Sequence, residues 1–145
     1  MKNILFFGAT GKLGVNWVKN LLFNNNQVIV NFHKNRLHPQ KNLIQKKFNI
    51  NKPSEIIKFC KKKNINIIIN CVGLSDVEKS ESKPKVAEKL NYIIPSTLCM
   101  ISKKLNILFV HISTDMLFNG SYSGKYSEKN NYNPVNNYSK TKIKA

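Results

Sequence analysis

The chain has 145 residues, enough for one domain with a core of its own, and 41% hydrophobic with 10% aromatic residues places it among globular rather than disordered sequences. No apolar run approaches the roughly 18 residues that a bilayer-spanning helix needs, which argues against a membrane protein. The formal net charge of +17 raises nucleic-acid binding, but Arg36 is the single arginine and the lysines are spread along the whole chain, whereas base readout and phosphate clamping favour arginine. An excess of Lys, Asn and Ile is what an AT-rich coding sequence leaves behind, so no nucleic-acid partner is expected.

The elements alternate. Asn3 to Phe7 is a continuous apolar run, as for a strand covered on both faces, and Gly8 cuts it too early for a signal peptide. Lys12 to Phe23 follows with Leu13, Trp17 and Leu21 on one helical face. Residues 27–32 read as a second strand, and a short third strand is expected at Phe48-Asn49-Ile50. Pro53 opens a helix through Lys63, and residues 65–72 give the strongest strand signal. A long helical region over residues 85–104, interrupted or re-angled at Pro95, precedes a fifth strand over residues 106–113. Residues 122–134 form a polar loop, and a last helix starts near Val135 and is still running at Ala145. This alternation predicts an α/β chain, a doubly wound parallel Rossmann-type sheet of about five strands in the order 3-2-1-4-5. Residues 1–145 are read as one dinucleotide-binding domain.

Cys60, Cys71 and Cys99 are odd in number and lack a CxxC spacing, and His33, His38 and His111 show no metal pattern. Reduced thiols in a cytoplasmic protein without a metal site are expected.

Gly8-Ala9-Thr10-Gly11-Lys12-Leu13-Gly14 lies between the first strand and first helix, and holds three of the six glycines. Glycine lets a backbone approach a pyrophosphate, and a helix N-terminus attracts it. The GxxGxxG spacing resembles the turn of short-chain dehydrogenase/reductases. Where many NAD binders carry an acid for the ribose hydroxyls, the chain has Asn31, then His33, Lys34 and Arg36. Such a cluster attracts a 2′-phosphate, so NADP(H) is preferred, with NAD(H) the second choice.

Tyr138 and Lys142 are four apart and share one helical face. An ammonium beside a phenol stabilises the phenolate, which suits a proton donor to a carbonyl receiving hydride. With 5 Tyr and 24 Lys plus Arg, chance alone supplies roughly one such pair, so the pair takes its meaning from its surroundings. His111-Ile112-Ser113-Thr114-Asp115 lies at the end of the fifth strand, the edge where open α/β sheets bind ligands.

Taken in order, these motifs resemble the dTDP-4-dehydrorhamnose reductase family of extended short-chain dehydrogenase/reductases. The marks are the glycine heptad, Asn70-Cys71-Val72-Gly73, the run from Val77 to Pro84 leading to Asn91, Ser113-Thr114-Asp115-Met116-Leu117-Phe118-Asn119-Gly120, and Pro134 to Lys142. Glu78 and Asn49 stand where the family usually has Asp.

The resemblance implies NAD(P)H-dependent reduction of a 4-keto sugar nucleotide, in nucleotide-sugar biosynthesis. Tyr138 would be the general acid, Lys142 would bind the nicotinamide ribose, and Thr114 would hydrogen-bond the reacting oxygen, with Asp115 beside the substrate. Gly8, Thr10, Gly11, Lys12, Leu13 and Gly14 would carry the pyrophosphate, and Asn49 and Ile50 would meet the adenine. Gly73, Leu74, Ser75 and Ile112 would line the path to the nicotinamide. Family members continue into further strands and a small substrate domain, which these residues lack, and a homodimer of the longer protein is an expectation. The rival readings are a nucleotide-sugar epimerase or dehydratase, and a non-catalytic dinucleotide-binding regulatory subunit.

Overall fold

A computed structural model of the chain describes residues 1–121 and 123–145. These residues fall into two compact units, Met1–Val72 with Ser96–Ile112, and Gly73–Pro95 with Ser113–Ala145.

The first unit holds the sheet. Strands β1 (Asn3–Phe7), β2 (Gln27–Asn31), β3 (Leu43–Lys46), β4 (Ile67–Asn70) and β5 (Leu108–His111) run in parallel in the order β3-β2-β1-β4-β5. This is the order expected from the alternating pattern. Successive side chains of a strand point to opposite faces, and both faces of β1 are buried. On one face Ile4 and Phe6 join Ala9, Val18, Val28, Val30 and Ile69, with Trp17, Leu21 and Leu22 of helix α1 (Lys12–Phe23) packed against them. Trp17 meets Phe6 edge to face at 5.8 Å between ring centres. On the other, Phe7 neighbours Phe48, and Phe48 meets Phe59 of α2 (Pro53–Lys62) edge to face at 4.9 Å.

The third strand lies earlier than the sequence suggests. β3 ends at Lys46, and Phe48-Asn49-Ile50 is a turn. As an edge strand β3 tolerates Gln45 and Lys46, which disguises it as a loop. The ladder stops because the Phe48 N–H donates to the Asn31 side chain, at 2.9 Å, not to a strand carbonyl. Phe48 signals burial correctly; its burial is that of a turn residue.

Among the described residues four non-glycines have positive φ, and all are asparagine: Asn25, Asn42, Asn64 and Asn106. They turn the chain after a helix or before a strand, where asparagine tolerates the left-handed conformation better than most residues.

The second unit contains α3 (Val77–Ser82), α4 (Pro84–Glu88), a π-helical turn (Lys89–Ile93) and α6 (Asn137–Ile143), while α5 (Ile94–Leu105), which continues the π-helical turn, belongs to the first unit from Ser96 onward. α3 escaped the sequence reading because it is only 6 residues long; its signal is Asp76, whose carboxylate accepts the Lys79 N–H at 2.9 Å. The expected break at Pro95 is instead a widened turn before it, in which the Ile94 N–H donates to the Lys89 carbonyl. A proline ring collides with the carbonyl four residues back, here that of Asn91, and the wider turn is one way to relieve this. α6 begins at Asn137, not near Val135, because the Asn136 side chain caps it by accepting the Ser139 N–H at 2.8 Å. It runs to Ile143, with Lys144 and Ala145 outside it. The polar loop is without helix or strand over residues 123–134, as expected, while Tyr122 lies outside the described residues. Phe118 stacks on Tyr126 at 4.4 Å and also contacts Tyr132, giving that loop an aromatic anchor.

Phe6 is fully buried on the central strand. Phe6→Ala is expected to lower the unfolding free energy by about 3–5 kcal/mol in a urea titration, a large share of a typical domain's stability.

Candidate functional site

In the first unit the glycine heptad turns the chain from β1 into α1. Gly8 has φ +83, and a Cβ there would lie 2.6 Å from the Cys71 carbonyl carbon and 2.7 Å from the Val72 nitrogen. A Cβ on Gly14 would collide with the Gly8 carbonyl oxygen and lie 2.9 Å from the Ala9 Cα. These two glycines are therefore demanded by the fold itself. Gly11 differs: its Cβ would meet nothing closer than the Gly8 oxygen at 3.5 Å, an ordinary contact. The fold leaves room for a side chain at Gly11, which is exposed with Thr10, Lys12 and Leu13.

Gly11 caps α1 with extended backbone, no side-chain cap bond is made, and no acid stands in the first turn. The positive end of the helix dipole thus carries no protein anion of its own. The arrangement fits a diphosphate: backbone that can be approached closely, at an uncapped helix N-terminus.

Asn31 ends β2 directly opposite Phe7, beside the glycine turn, and its Oδ1 is engaged by the Phe48 N–H. His33, Lys34 and Arg36 follow, all exposed, and the Arg36 guanidinium lies 4.4 Å from the centre of the Phe32 ring. Asn49 is exposed in the turn after β3; its Oδ1 accepts the Asn51 N–H at 3.0 Å, and Ile50 beside it is half-buried.

At the end of β4, Asn70 is fully buried, and its side chain lies 3.1 Å from His111 Nδ1 on β5 and accepts the Val72 N–H at 3.1 Å. This fixes the chain where it leaves the sheet toward Gly73, while Ile112 is exposed at the end of β5. Burial pushes the Cys60 thiol up to about 11 and raises that of Cys71, so neither is an activated nucleophile.

The second unit holds Gly73, Leu74 and Ser75 together with Thr114, Asp115, Tyr138 and Lys142. Its centre is Asn91, which sequence reading used only as a family mark. The fully buried Asn91 side chain accepts the Leu74 N–H at 2.7 Å, donates to the Leu74 carbonyl at 3.2 Å and donates to Thr141 Oγ1 at 3.1 Å. Thr141 in turn donates to the Tyr138 carbonyl at 2.8 Å. One carboxamide thus ties the Gly73–Ser75 segment to the helix bearing Tyr138. A polar residue amid Leu90, Tyr92 and Ile93 on a helix was the available signal.

The first turn of α6 is also gripped from α3. Glu81 accepts the Asn137 backbone N–H at 2.7 Å and its side-chain amide at 2.6 Å. Tyr138 and Lys142 are both half-buried on this helix, one turn apart. Burial lowers the Lys142 ammonium below the ordinary lysine range. Thr114 Oγ1 accepts the Met116 N–H at 3.3 Å and lies 3.5 Å from Asp115 Oδ1, a loose local turn.

Among the described residues no group of three or more His, Cys, Asp or Glu could hold a metal ion, and no helix is long and apolar enough to cross a membrane.

Against known families, residues 1–145 match the RmlD substrate binding domain. The chain is 28% identical over 136 residues to the probable low-salt glycan biosynthesis reductase Agl14 of Haloferax volcanii, covering 94% of this chain and 45% of that one. It is 27% identical over 143 residues to dTDP-4-dehydrorhamnose reductase of Salmonella typhimurium, covering 97% and 44%. Among solved structures, a hypothetical dTDP-4-dehydrorhamnose reductase from Sulfolobus tokodaii superposes with a TM-score of 0.81 at 29% identity, over 99% of this chain and 50% of the other. The chain spans about half the length of the relatives it matches.

The glycines separate in a stability assay. Gly14→Ala is expected to cost several kcal/mol or to abolish folding, since backbone must move, whereas Gly11→Ala should stay within about 1 kcal/mol of the parent, as at an ordinary cap. Asn91→Leu should cost about 1–3 kcal/mol by stranding the Leu74 backbone groups, read as a lower urea midpoint.

Proposed function

The chain belongs to the RmlD substrate binding domain family, and from that membership we propose that it is the dinucleotide-binding part of an NAD(P)H-dependent reductase acting on a 4-keto sugar nucleotide. The observation that carries the reading is the glycine turn: Gly8 and Gly14 are forced by the backbone, while Gly11 is left open at an uncapped helix start. A glycine that packing does not demand, at the open start of a helix, suits close approach by a diphosphate. The similarity to dTDP-4-dehydrorhamnose reductases supplies the substrate class, dTDP-4-dehydrorhamnose or a similar nucleotide sugar.

The roles follow from the chemistry. Thr10, Gly11, Lys12 and Leu13 hold the diphosphate, with backbone N–H groups and the helix dipole as the attraction. Asn49 and Ile50 border the adenine, and Gly73, Leu74, Ser75 and Ile112 the nicotinamide. The dinucleotide, when bound, supplies the hydride that adds to the substrate carbonyl carbon. Tyr138 gives its phenolic proton to the carbonyl oxygen, completing the alcohol, and regains a proton from solvent. Lys142 holds the nicotinamide ribose and stabilises the transient phenolate. Thr114 orients the carbonyl and Asp115 contacts the substrate. The basic residues after β2 favour NADP(H) over NAD(H), and a cytoplasmic setting fits a reductase of activated sugars. A homodimer of the longer protein belongs to the same proposal.

Residues 1–145 hold the proposed acid but match about half of each relative. Remote parts of a substrate normally provide the binding energy that orients the reacting carbonyl, so these residues alone should turn over weakly or not at all.

The test is to express the protein with the sequence that follows these residues in its natural reading frame, and assay NADPH oxidation with a dTDP-4-keto-6-deoxy sugar. Turnover is expected, and Tyr138→Phe should cut kcat by about 10²–10⁴-fold while leaving NADPH affinity within a few-fold. Dinucleotide binding with no turnover in the longer protein would instead identify a regulatory subunit.

A further inference from the structure

We propose that Gln45 is a positioning residue for dinucleotide preference, acting by locking the loop after β2 so that Arg36 is presented to the 2′-phosphate of an adenosine. This rests on the cofactor reading above and specifies how that site distinguishes its two dinucleotides.

The argument begins with Asn31. It ends β2 in register with Phe7, and neighbouring strands lie roughly 4.8 Å apart, so the chain leaves β2 alongside the glycine turn. An acid at such a place would bond the ribose hydroxyls. Asn31 carries no charge, and its Oδ1 is engaged by the Phe48 N–H. Discrimination therefore passes to the loop that follows.

That loop, residues 32–42, contains no helix or strand. Of its basic residues, Arg36 is the one held against a ring, with its guanidinium carbon 4.4 Å from the Phe32 centre. A guanidinium held against a ring loses much of its rotamer freedom and still has five N–H donors, some of which can pair with phosphate oxygens.

A stacked arginine discriminates only if its backbone is fixed, since ordering a mobile loop on binding weakens affinity. Gln45 supplies that fixation at the next residue. The Leu37 N–H donates to Gln45 Oε1 at 2.8 Å, and Gln45 Nε2 donates to the Leu37 carbonyl at 2.9 Å. Both backbone groups of Leu37 are thus met by one side chain, as a neighbouring strand would meet them. Gln45 is itself set in β3 opposite Val30, and the Leu37 side chain packs on the core cluster. Only a carboxamide of this length offers a donor and an acceptor side by side; a glutamate would lose the donor, and methionine both. The chain of support runs from the sheet, through Gln45 and Leu37, to Arg36.

The test uses the longer, naturally flanked protein and two ligands that differ by one group, adenosine 2′,5′-bisphosphate and 5′-AMP, titrated by calorimetry. The parent protein is expected to bind the bisphosphate at least about tenfold more tightly, the scale of a charge-assisted hydrogen bond. Gln45→Met should reduce that ratio about fivefold or more while 5′-AMP affinity stays within twofold; general destabilisation would weaken both ligands alike. Phe32→Leu should do the same with Gln45 intact, by removing the ring beside Arg36; Gln45→Asn, which keeps the carboxamide but is too short to reach Leu37, decides the matter if Gln45→Met fails to fold. In an Arg36→Met background Gln45→Met should change the ratio no further, because the two act through one group. An unchanged ratio in the folded Gln45 variant overturns the role of Gln45 and leaves the cofactor reading standing; a parent that binds both ligands equally overturns the role of Gln45 and the NADP(H) preference together, and leaves dinucleotide binding standing. A parent that binds neither ligand overturns the cofactor reading, and the role of Gln45 with it.

Discussion

The first unit is organised around a backbone collision that never happens. The Gly8 carbonyl oxygen occupies the space where a side chain at position 14 would stand, and the Cys71–Val72 peptide fills the space beside Gly8 itself. Helix α1 can therefore start only where it does, close against the end of β4. That closeness leaves the helix N-terminus exposed at the C-terminal edge of β1, with Gly11 as the open point of the turn. Packing demands two of the three glycines, and the third stands open at the start of the helix.

The fold was largely legible because its strands obey a strong rule. Strands buried on both faces must be apolar throughout, and Ile4 to Phe7 and Ile67 to Ile69 are so with little ambiguity. β3 was misplaced for the opposite reason. An edge strand is held by one neighbour, so Gln45 and Lys46 can occupy it without penalty, while the more apolar Phe48 is buried in a turn. α3 and the true start of α6 depend on caps, Asp76 and Asn136, and in a chain so rich in asparagine a capping Asn is hard to tell from background.

Of the candidate site, the glycine turn was readable from position alone. Tyr138 and Lys142 were readable only through their company, because their spacing is common by chance. The partners of the supports were not readable. Asn91 and Glu81 each satisfy backbone groups far away in sequence, at Leu74 and at Asn137, and such pairings leave no periodicity. They matter because α6, which bears Tyr138 and Lys142, is only 7 residues long. Isolated helices of that length do not persist in water, so its order comes from the Asn136 cap, the Glu81 grip and the Asn91–Thr141 tie.

The four left-handed asparagines have a consequence for how such a chain can drift. In a coding sequence pulled toward lysine and asparagine codons, a glycine whose only task is to reverse the backbone can be exchanged for asparagine at modest expense, and Asn25, Asn42, Asn64 and Asn106 occupy that kind of place. Exchange is blocked where a β-carbon would strike main chain, as at Gly8 and Gly14. Under such a bias the glycines pinned by main-chain packing are fixed points, and within the heptad they leave Gly11 as the glycine free to drift.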